Sequence, residues 1–193
     1  MTTACTRPRD AVVVDERLTL RRFVHPADLP ELHRVIDESV DHLRPWLDWV
    51  DNHSPEWTAG FLSRRDAQWE AGTGFTYAVV CEGAIVGACG LHVREDTPPD
   101  TYEIGYWLHP AATGRGLATR AVRAVVAEGF RMPGVRQLLV VHLPENEASA
   151  RIPERLGFTE VERVREEGEE FRVWRLARAE AAAGAGAVPT TSA

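Results

Sequence analysis

Tyr102-Glu103-Ile104-Gly105-Tyr106-Trp107-Leu108, followed by Gly114-Arg115-Gly116-Leu117-Ala118-Thr119, is the stretch that decides how this chain folds. The first part reads as an apolar strand. The second is a glycine turn that opens an amphipathic helix from about Leu117 to Phe130. Val122, Val125, Val126 and Phe130 share one face of that helix, and Arg120, Arg123 and Glu128 the other, so it is expected to pack against a sheet. Backbone N–H groups at a helix start lack intrahelical acceptors and lie at the positive end of the helix dipole. A glycine turn at that place is a seat for phosphate.

Downstream, Pro133-Gly134 ends the helix, and Arg136 to Leu143 is an almost continuous apolar run, expected to be a strand buried on both faces. A short helix is expected after Asn146, then strands at Thr159 to Arg165 and Phe171 to Leu176 around a Glu167-Gly168-Glu169 turn. Upstream, Leu18 to Phe23 alternates as a half-buried strand does. A helix from Pro26-Ala27-Asp28 carries Leu29, Leu32, Val35, Ile36 and Val40 on its apolar face until Pro45 breaks it. Ser54 and Pro55 have the chemistry of an N-cap and a first helical residue, predicting a second helix to about Ala71. Phe75 to Cys81 and Ala84 to Val93 read as a hairpin turning at Glu82-Gly83. The resulting order, β-α-α-β-β-β-α-β-α-β-β, predicts an α/β fold with a mixed sheet and helices on its faces. One domain is expected over residues 17–177, between a flexible segment 1–16 and a disordered Ala/Gly-rich tail 178–193.

Composition narrows the function. With 193 residues the chain fits a single domain with a full core. No apolar run reaches the roughly 20 residues of a membrane span, and Met1 to Asp10 lacks a secretory apolar stretch, so a cytoplasmic location is expected. Cys5, Cys81 and Cys89 show no metal-ligand spacing and are expected as reduced thiols. All 22 basic residues are arginine, which composition bias accounts for, and the net charge of −7 argues against a surface that grips nucleic acid. An acidic protein with a local phosphate turn points to a small anionic cofactor and a cationic acceptor.

The turn lacks Gly-x-Gly-x-x-Gly and has no Gly-Lys-Ser/Thr, so it is neither the dinucleotide fingerprint nor a P-loop. It resembles the acetyl-coenzyme A segment of the GNAT superfamily of N-acetyltransferases, Arg/Gln-x-x-Gly-x-Gly/Ala. Gly116, Leu117 and Ala118 match its end, Gly114 and Arg115 are its variable residues, and Thr113 departs from the usual Arg or Gln. Glu103 to Leu108, Asn146-Glu147-Ala148-Ser149 and Leu156-Gly157-Phe158 are similar to the RimJ/RimL branch, the ribosomal-protein N-terminal acetyltransferases. Leu18 to Phe23 and Leu43-Arg44-Pro45-Trp46-Leu47 resemble the same branch, so the likeness runs over about 16–177.

The resemblance implies a mostly antiparallel sheet with a splayed strand pair, and acetyl-CoA as co-substrate. The diphosphate would lie on Thr113, Gly114, Arg115, Gly116, Leu117, Ala118 and Thr119, and the pantetheine arm along the backbone of Trp107 and Leu108 and beside Asn146. An amine with a pKa near ~10 needs a base at neutral pH. Glu103 is assigned that role by the resemblance, against pairing with an arginine or facing solvent. Ser149 is the candidate donor to the leaving thiolate, against an ordinary helix serine, because Pro153 occupies the slot where many relatives carry a tyrosine acid. Asn146 has the N-cap as its alternative role, and His142 reads as a packed strand histidine.

Trp46 and Trp49 are candidate substrate-binding residues; with Trp57 they wall the acceptor site or pack in the core, and Asp48 and Asp51 attract a cationic amine or simply face solvent. Direct acetyl transfer to an amine follows, since the cysteines lie upstream of the motifs. The acceptor is a small molecule or a peptide N-terminus. Two alternatives share the fold: a transferase using another acyl-CoA or aminoacyl-tRNA, the latter the one case in which nucleic acid enters, and a non-catalytic CoA-binding module. No metal and no membrane partner are expected, and a homodimer stays open.

Overall fold

The computed structural model describes residues 7–94, 97–166 and 168–185. One eight-stranded sheet runs in the order β1-β2-β3-β4-β5-β6-β8-β7. Its strands are β1 (Ala11–Val13), β2 (Leu18–Arg22), β3 (Gly74–Cys81), β4 (Ala84–His92), β5 (Thr101–Leu108), β6 (Gln137–His142), β7 (Thr159–Glu166) and β8 (Glu169–Ala177). Among the described residues only β5 and β6 pair in parallel. The helices are α1 (Leu29–Asp37), α2 (Val40–Leu43), α3 (Pro55–Ala71), α4 (Leu117–Arg131), α5 (Glu147–Arg155) and α6 (Arg178–Ala185).

Strand alternation sorts the core into two layers. Tyr77 and Val79 of β3, Leu91 of β4 and Ile104 of β5 face α4, where Leu117, Ala121, Val122 and Val125 cover them. The opposite set, Ala78, Ile85 and Ala88, meets Leu32 and Ile36 of α1 and Leu62 of α3. Helices therefore lie on both faces of a mostly antiparallel sheet, as expected from the sequence.

Local signals hold where chemistry is local. Ser54 Oγ accepts the Trp57 N–H at 3.1 Å with Pro55 behind it, and Gly72 ends α3 at φ +74°. Glu82 and Gly83, both at positive φ, turn the β3–β4 hairpin. The first helix stops earlier than its apolar pattern suggests. Ser39, buried, donates its hydroxyl to Val35 O at 2.6 Å, a back-bond that competes with continued helix, and the chain resumes as the single turn α2. In β6 burial alternates, with Leu138, Val140 and His142 buried and the residues between them half-buried, because that strand borders a cleft on one side.

Both chain ends depart from expectation. Residues 7–16, read as flexible, carry β1, and the Arg9 guanidinium reaches Glu128 of α4 at 2.6 Å while the Arg9 N–H donates to the same carboxylate at 2.9 Å. Glu128, placed on the solvent face by periodicity, is buried for that reason. Residues 178–185, read as part of a disordered tail, form α6. Arg178 donates to Phe130 O, Met132 O and Val135 O at the C-terminal end of α4, where a cation answers the exposed carbonyls. Residues 1–6 and 186–193 of those two expected segments, and Glu167 of the expected turn, lie outside the described residues.

Replacing Arg9 with alanine should lower the unfolding free energy by about 2 kcal/mol, the cost of removing hydrogen bonds from a buried carboxylate that keeps Arg131 3.7 Å away. Urea denaturation checks this. A loss below about 0.5 kcal/mol would reduce the contact to an ordinary surface pair.

Candidate active site

The site forms where the sheet comes apart. β5 and β6 are in register only at Thr101↔Gln137, Tyr102↔Leu138 and Glu103↔Leu139. Beyond that point β5 stays with β4 as far as Leu108, and β6 stays with β8 as far as His142. The edge of Ile104–Leu108 that would continue the ladder is left without a strand partner. Unpaired peptide groups are tolerated where a cleft opens, and such an edge can accept another extended amide chain. Trp107 and Leu108, expected to meet the pantetheine arm, lie on this stretch.

The glycine turn follows the C-terminal end of β5, on the side where the strands diverge. Thr113 gives both its N–H and its hydroxyl to Pro110 O, at 3.1 and 2.8 Å, which closes the preceding 3-10 turn. Gly114 and Gly116 both adopt φ +71°, a conformation costing an L-residue roughly 1–2 kcal/mol. A Cβ at either would meet nothing within 4 Å, so the demand is conformational and the surface above is open. Buried Leu117 fixes the helix start. Among the described residues, no protein acceptor takes the N–H groups of Gly114, Arg115, Gly116, Leu117, Ala118 or Thr119. That set fits a diphosphate by donor chemistry. The Arg115 side chain turns toward the hairpin, 3.9 Å from Cys81 Sγ and 4.0 Å from Glu82.

Across the cleft, Asn146 caps α5 by accepting the Ser149 N–H at 3.0 Å. Pro153 sits inside α5 and lacks the N–H that would bond Ser149 O. The Tyr106 hydroxyl replaces it, 3.1 Å from Ser149 O and 2.8 Å from Ser149 Oγ. The proline in the expected tyrosine slot thus brings in a hydroxyl from β5. Sequence reading passed over Tyr106, since its partner lies 43 residues away. His142 is structural: buried, its Nε2 accepts from Trp174 Nε1 at 2.9 Å, and its Nδ1 lies 2.7 Å from Leu143 O, which assigns the proton to Nδ1.

On the opposite face of β5 lies a pocket of about 370 Å³ between α3 and the β4–β5 surface. Trp49 stacks on Trp57 at 4.8 Å, Trp57 on Phe61 at 5.5 Å, and Trp107 leans on Trp49 at 6.1 Å. Trp49 and Trp57 are therefore in the pocket wall; Trp46 is not among its lining residues. The expected acidic attraction is absent from this lining: Asp51 pairs with Arg44 at 2.9 Å, Asp48 is exposed, and the charged groups lining the pocket are Arg64 and Arg65.

Glu103 lies on the same strand face as Gly105 and Trp107, beside the pocket. Its carboxylate accepts from Arg94 at 2.9 Å, and Arg94 also reaches Glu166, so the arginine-pairing alternative is realised. His92, opposite Glu103 in the β4–β5 register, was not singled out by sequence. Its ring lines the pocket, and burial, helped by Arg65, pushes its pKa down to about 4, leaving it neutral near pH 7. Cys89 also lines the pocket, opposite Tyr106, closer to the motifs than its place in the sequence suggests. Burial pushes its thiol pKa up, so it stays protonated and is a poor nucleophile.

This geometry has known counterparts. Residues 17–159 match the family model described as an acetyltransferase (GNAT) domain. The chain belongs to the GNAT acetyltransferase family. It is an acyl-CoA-dependent N-acetyltransferase. YdaF of Bacillus subtilis (strain 168), named as a candidate ribosomal N-acetyltransferase, is 28% identical over 163 residues, covering 79% of this chain and 84% of that protein. Among solved structures, a RimL ribosomal L7/L12 alpha-N-protein acetyltransferase in complex with coenzyme A superposes with a TM-score of 0.81 at 20% identity, covering 86% of this chain and 97% of RimL. The microcin C7 self-immunity acetyltransferase MccE, in complex with acetyl-CoA and AMP, gives 0.81 at 17%, covering 89% and 98%. Mycobacterium smegmatis RimJ gives 0.76 at 21%, covering 84% and 83%. Likenesses at these identities establish the shared fold.

The His92 ring should not titrate between pH 5.5 and 8.5 when followed by NMR, with His92→Gln for assignment. Its folded pKa lies below the ordinary imidazole value near 6.5, so the unfolded chain takes up this proton first. The contribution of neutral His92 to stability is therefore complete above about pH 6.5 and is lost as pH falls toward about 4.

Proposed function

We propose that this acetyltransferase acts by direct transfer of acetyl from acetyl-CoA to the primary amine of a protein N-terminus or a small molecule, in a ternary complex. The observation that carries the reading is the end of the β5–β6 ladder at Glu103↔Leu139 beside a glycine turn whose N–H groups are unspent. The names of YdaF and RimL support a protein N-terminus; that of MccE shows that the fold also serves other contexts.

Bound acetyl-CoA supplies a thioester whose carbonyl the amine attacks. Successive strand N–H groups point to opposite edges; His109 gives its N–H to Val86 O on the β4 side, as Trp107 does by alternation, so the Leu108 N–H faces the open edge, where an oxyanion needs a preorganised donor. The turn from Gly114 to Thr119 holds the diphosphate by its amides, and Asn146 at the opposite lip offers its side-chain amide while capping α5. Glu103 takes the ammonium proton through a water at the pocket edge, with Arg94 fixing the orientation of its carboxylate. Ser149, held by the Tyr106 hydroxyl, returns a proton to the departing thiolate. Cys89, the cysteine that lines the pocket, is kept protonated by burial and is a poor nucleophile for a covalent intermediate, which favours direct attack.

Glu103→Gln should lower kcat about 100-fold, the lower range for loss of a general base, while calorimetric affinity for CoA stays within twofold. Unchanged turnover would make the Glu103–Arg94 pair purely structural. Gly116→Val should weaken CoA binding about 10-fold, since a β-branched residue resists the left-handed conformation that turns the amides outward. Unaltered affinity would move the diphosphate elsewhere. Release of free CoA with a panel of amines separates the enzyme from a non-catalytic CoA-binding module and from an aminoacyl-tRNA-dependent transferase, neither of which would release it.

A further inference from the structure

The floor of the aromatic pocket holds a cation that the fold does not neutralise. Arg65 enters from α3 and lays its guanidinium over Phe61 at 4.7 Å. It donates to the neutral Gln68 Oε1 at 2.6 Å and lies 3.5 Å from His92 Nδ1. Among the described residues no carboxylate pairs with it, and both influences on its pKa, burial and neighbouring Arg64, push it down. Its Nε is buried and donates to nothing, and the buried Thr76 hydroxyl in the same lining is equally without a partner. Arg9, Arg21, Arg22 and Arg172 are each matched with a carboxylate, Glu128, Asp28, Asp66 and Glu160; the Nε groups of Arg172 and Arg175 are also buried without an acceptor, but neither residue lines this pocket. The other sizeable cavity, lined by Arg21 and Arg22, has both of those cations already paired.

An uncompensated charge in a largely buried place is expensive, and an unpaired donor beside it adds to the cost. Such an arrangement is retained where a ligand completes it. Gly105 and Trp107, on the strand that borders the transfer cleft, also line this pocket, so whatever sits here is next to the reacting amine. The chain as a whole is acidic, which makes two arginines in one lining without a single acid a local reversal of sign.

We propose that the acceptor amine carries an anionic group, a carboxylate or a phosphate, seated between the Arg65 Nε–H and the Thr76 hydroxyl, with its body against the Trp57–Phe61 wall. Arg64 at the mouth adds a second positive charge. The class of acceptor is then an amine with an acidic group within reach of the amine, whether an amino acid-like or phosphorylated small molecule or a peptide whose first residues are acidic. The proposal deepens the N-acetyltransferase reading and rests on it for the word acceptor; the anion site itself does not depend on catalysis.

The test uses benzoate, phenyl phosphate and neutral benzamide as donor-free probes of the full chain, with affinities read by calorimetry. Benzoate or phenyl phosphate should bind at least 10-fold more tightly than benzamide, the better of the two anions identifying the acidic group. Arg65→Gln should abolish that preference, leave CoA affinity within twofold, and raise the Tm of the ligand-free protein, because it removes an unneutralised charge. A merely structural Arg65 would lower the Tm instead. Equal binding of benzamide and both anions, or a preference that survives Arg65→Gln and Arg65→Met alike, overturns the proposal. Loss of CoA binding by the wild-type protein would sink the transferase reading while leaving the anion preference to be judged separately.

Discussion

The early end of the ladder between β5 and β6 is the constraint on which the molecule is organised. Two parallel strands joined by a crossover helix would ordinarily pair along their length. Here each is claimed on its far side: β6 by β8 over six registered pairs, and β5 by β4. β4 carries an irregularity opposite Val79 and Val80, and at Gly87 a Cβ would meet the Trp107 carbonyl oxygen at 2.1 Å. Glycine there lets β4 press against the half of β5 that has lost its other neighbour. The sheet keeps its continuity at the base and opens only toward the two helix N-termini.

Those helices bring complementary resources to the gap. α4 offers a run of unspent amides because two glycines turn the chain left-handed just before it. α5 has lost one internal bond to Pro153, and the orphaned Ser149 carbonyl is satisfied by Tyr106 from across the cleft. A departure that removes one hydroxyl from the site thereby fixes another pair within it. The Tyr106 phenol is pushed above its ordinary pKa by burial, so it remains a donor through the neutral range.

Much of this was legible beforehand, and the division follows interaction range. The Ser54 cap, the Glu82-Gly83 turn and the α4 stripe each depend on residues within a few positions, and each stands where the sequence placed it. The glycine turn was recognisable because its shape is set by the backbone freedom of Gly114 and Gly116. Range is what hid the rest. Glu128 looks solvent-exposed until Arg9, 119 residues away, is brought to it. Ser39 reads as a helix residue until its burial makes the back-bond to Val35 decisive. Asp48 and Asp51 beside the tryptophans suggested an acidic attraction, yet the ionisable side chains that reach the pocket along with the aromatics, Arg64, Arg65, Cys89, His92 and Tyr106, come from α3, β4 and β5. His92 and Arg65 have no sequence neighbour that announces them.

Arg178 has a consequence beyond the helix it follows. It gathers three carbonyls at one terminus of α4, while the opposite terminus presents the unspent amides of the glycine turn. A single rod of aligned peptide dipoles is thus anchored at its tail by residues that come after the last strand. Shortening the protein at Ala177 would leave every group of the cleft in place, yet loosen the rod on which half of them are mounted.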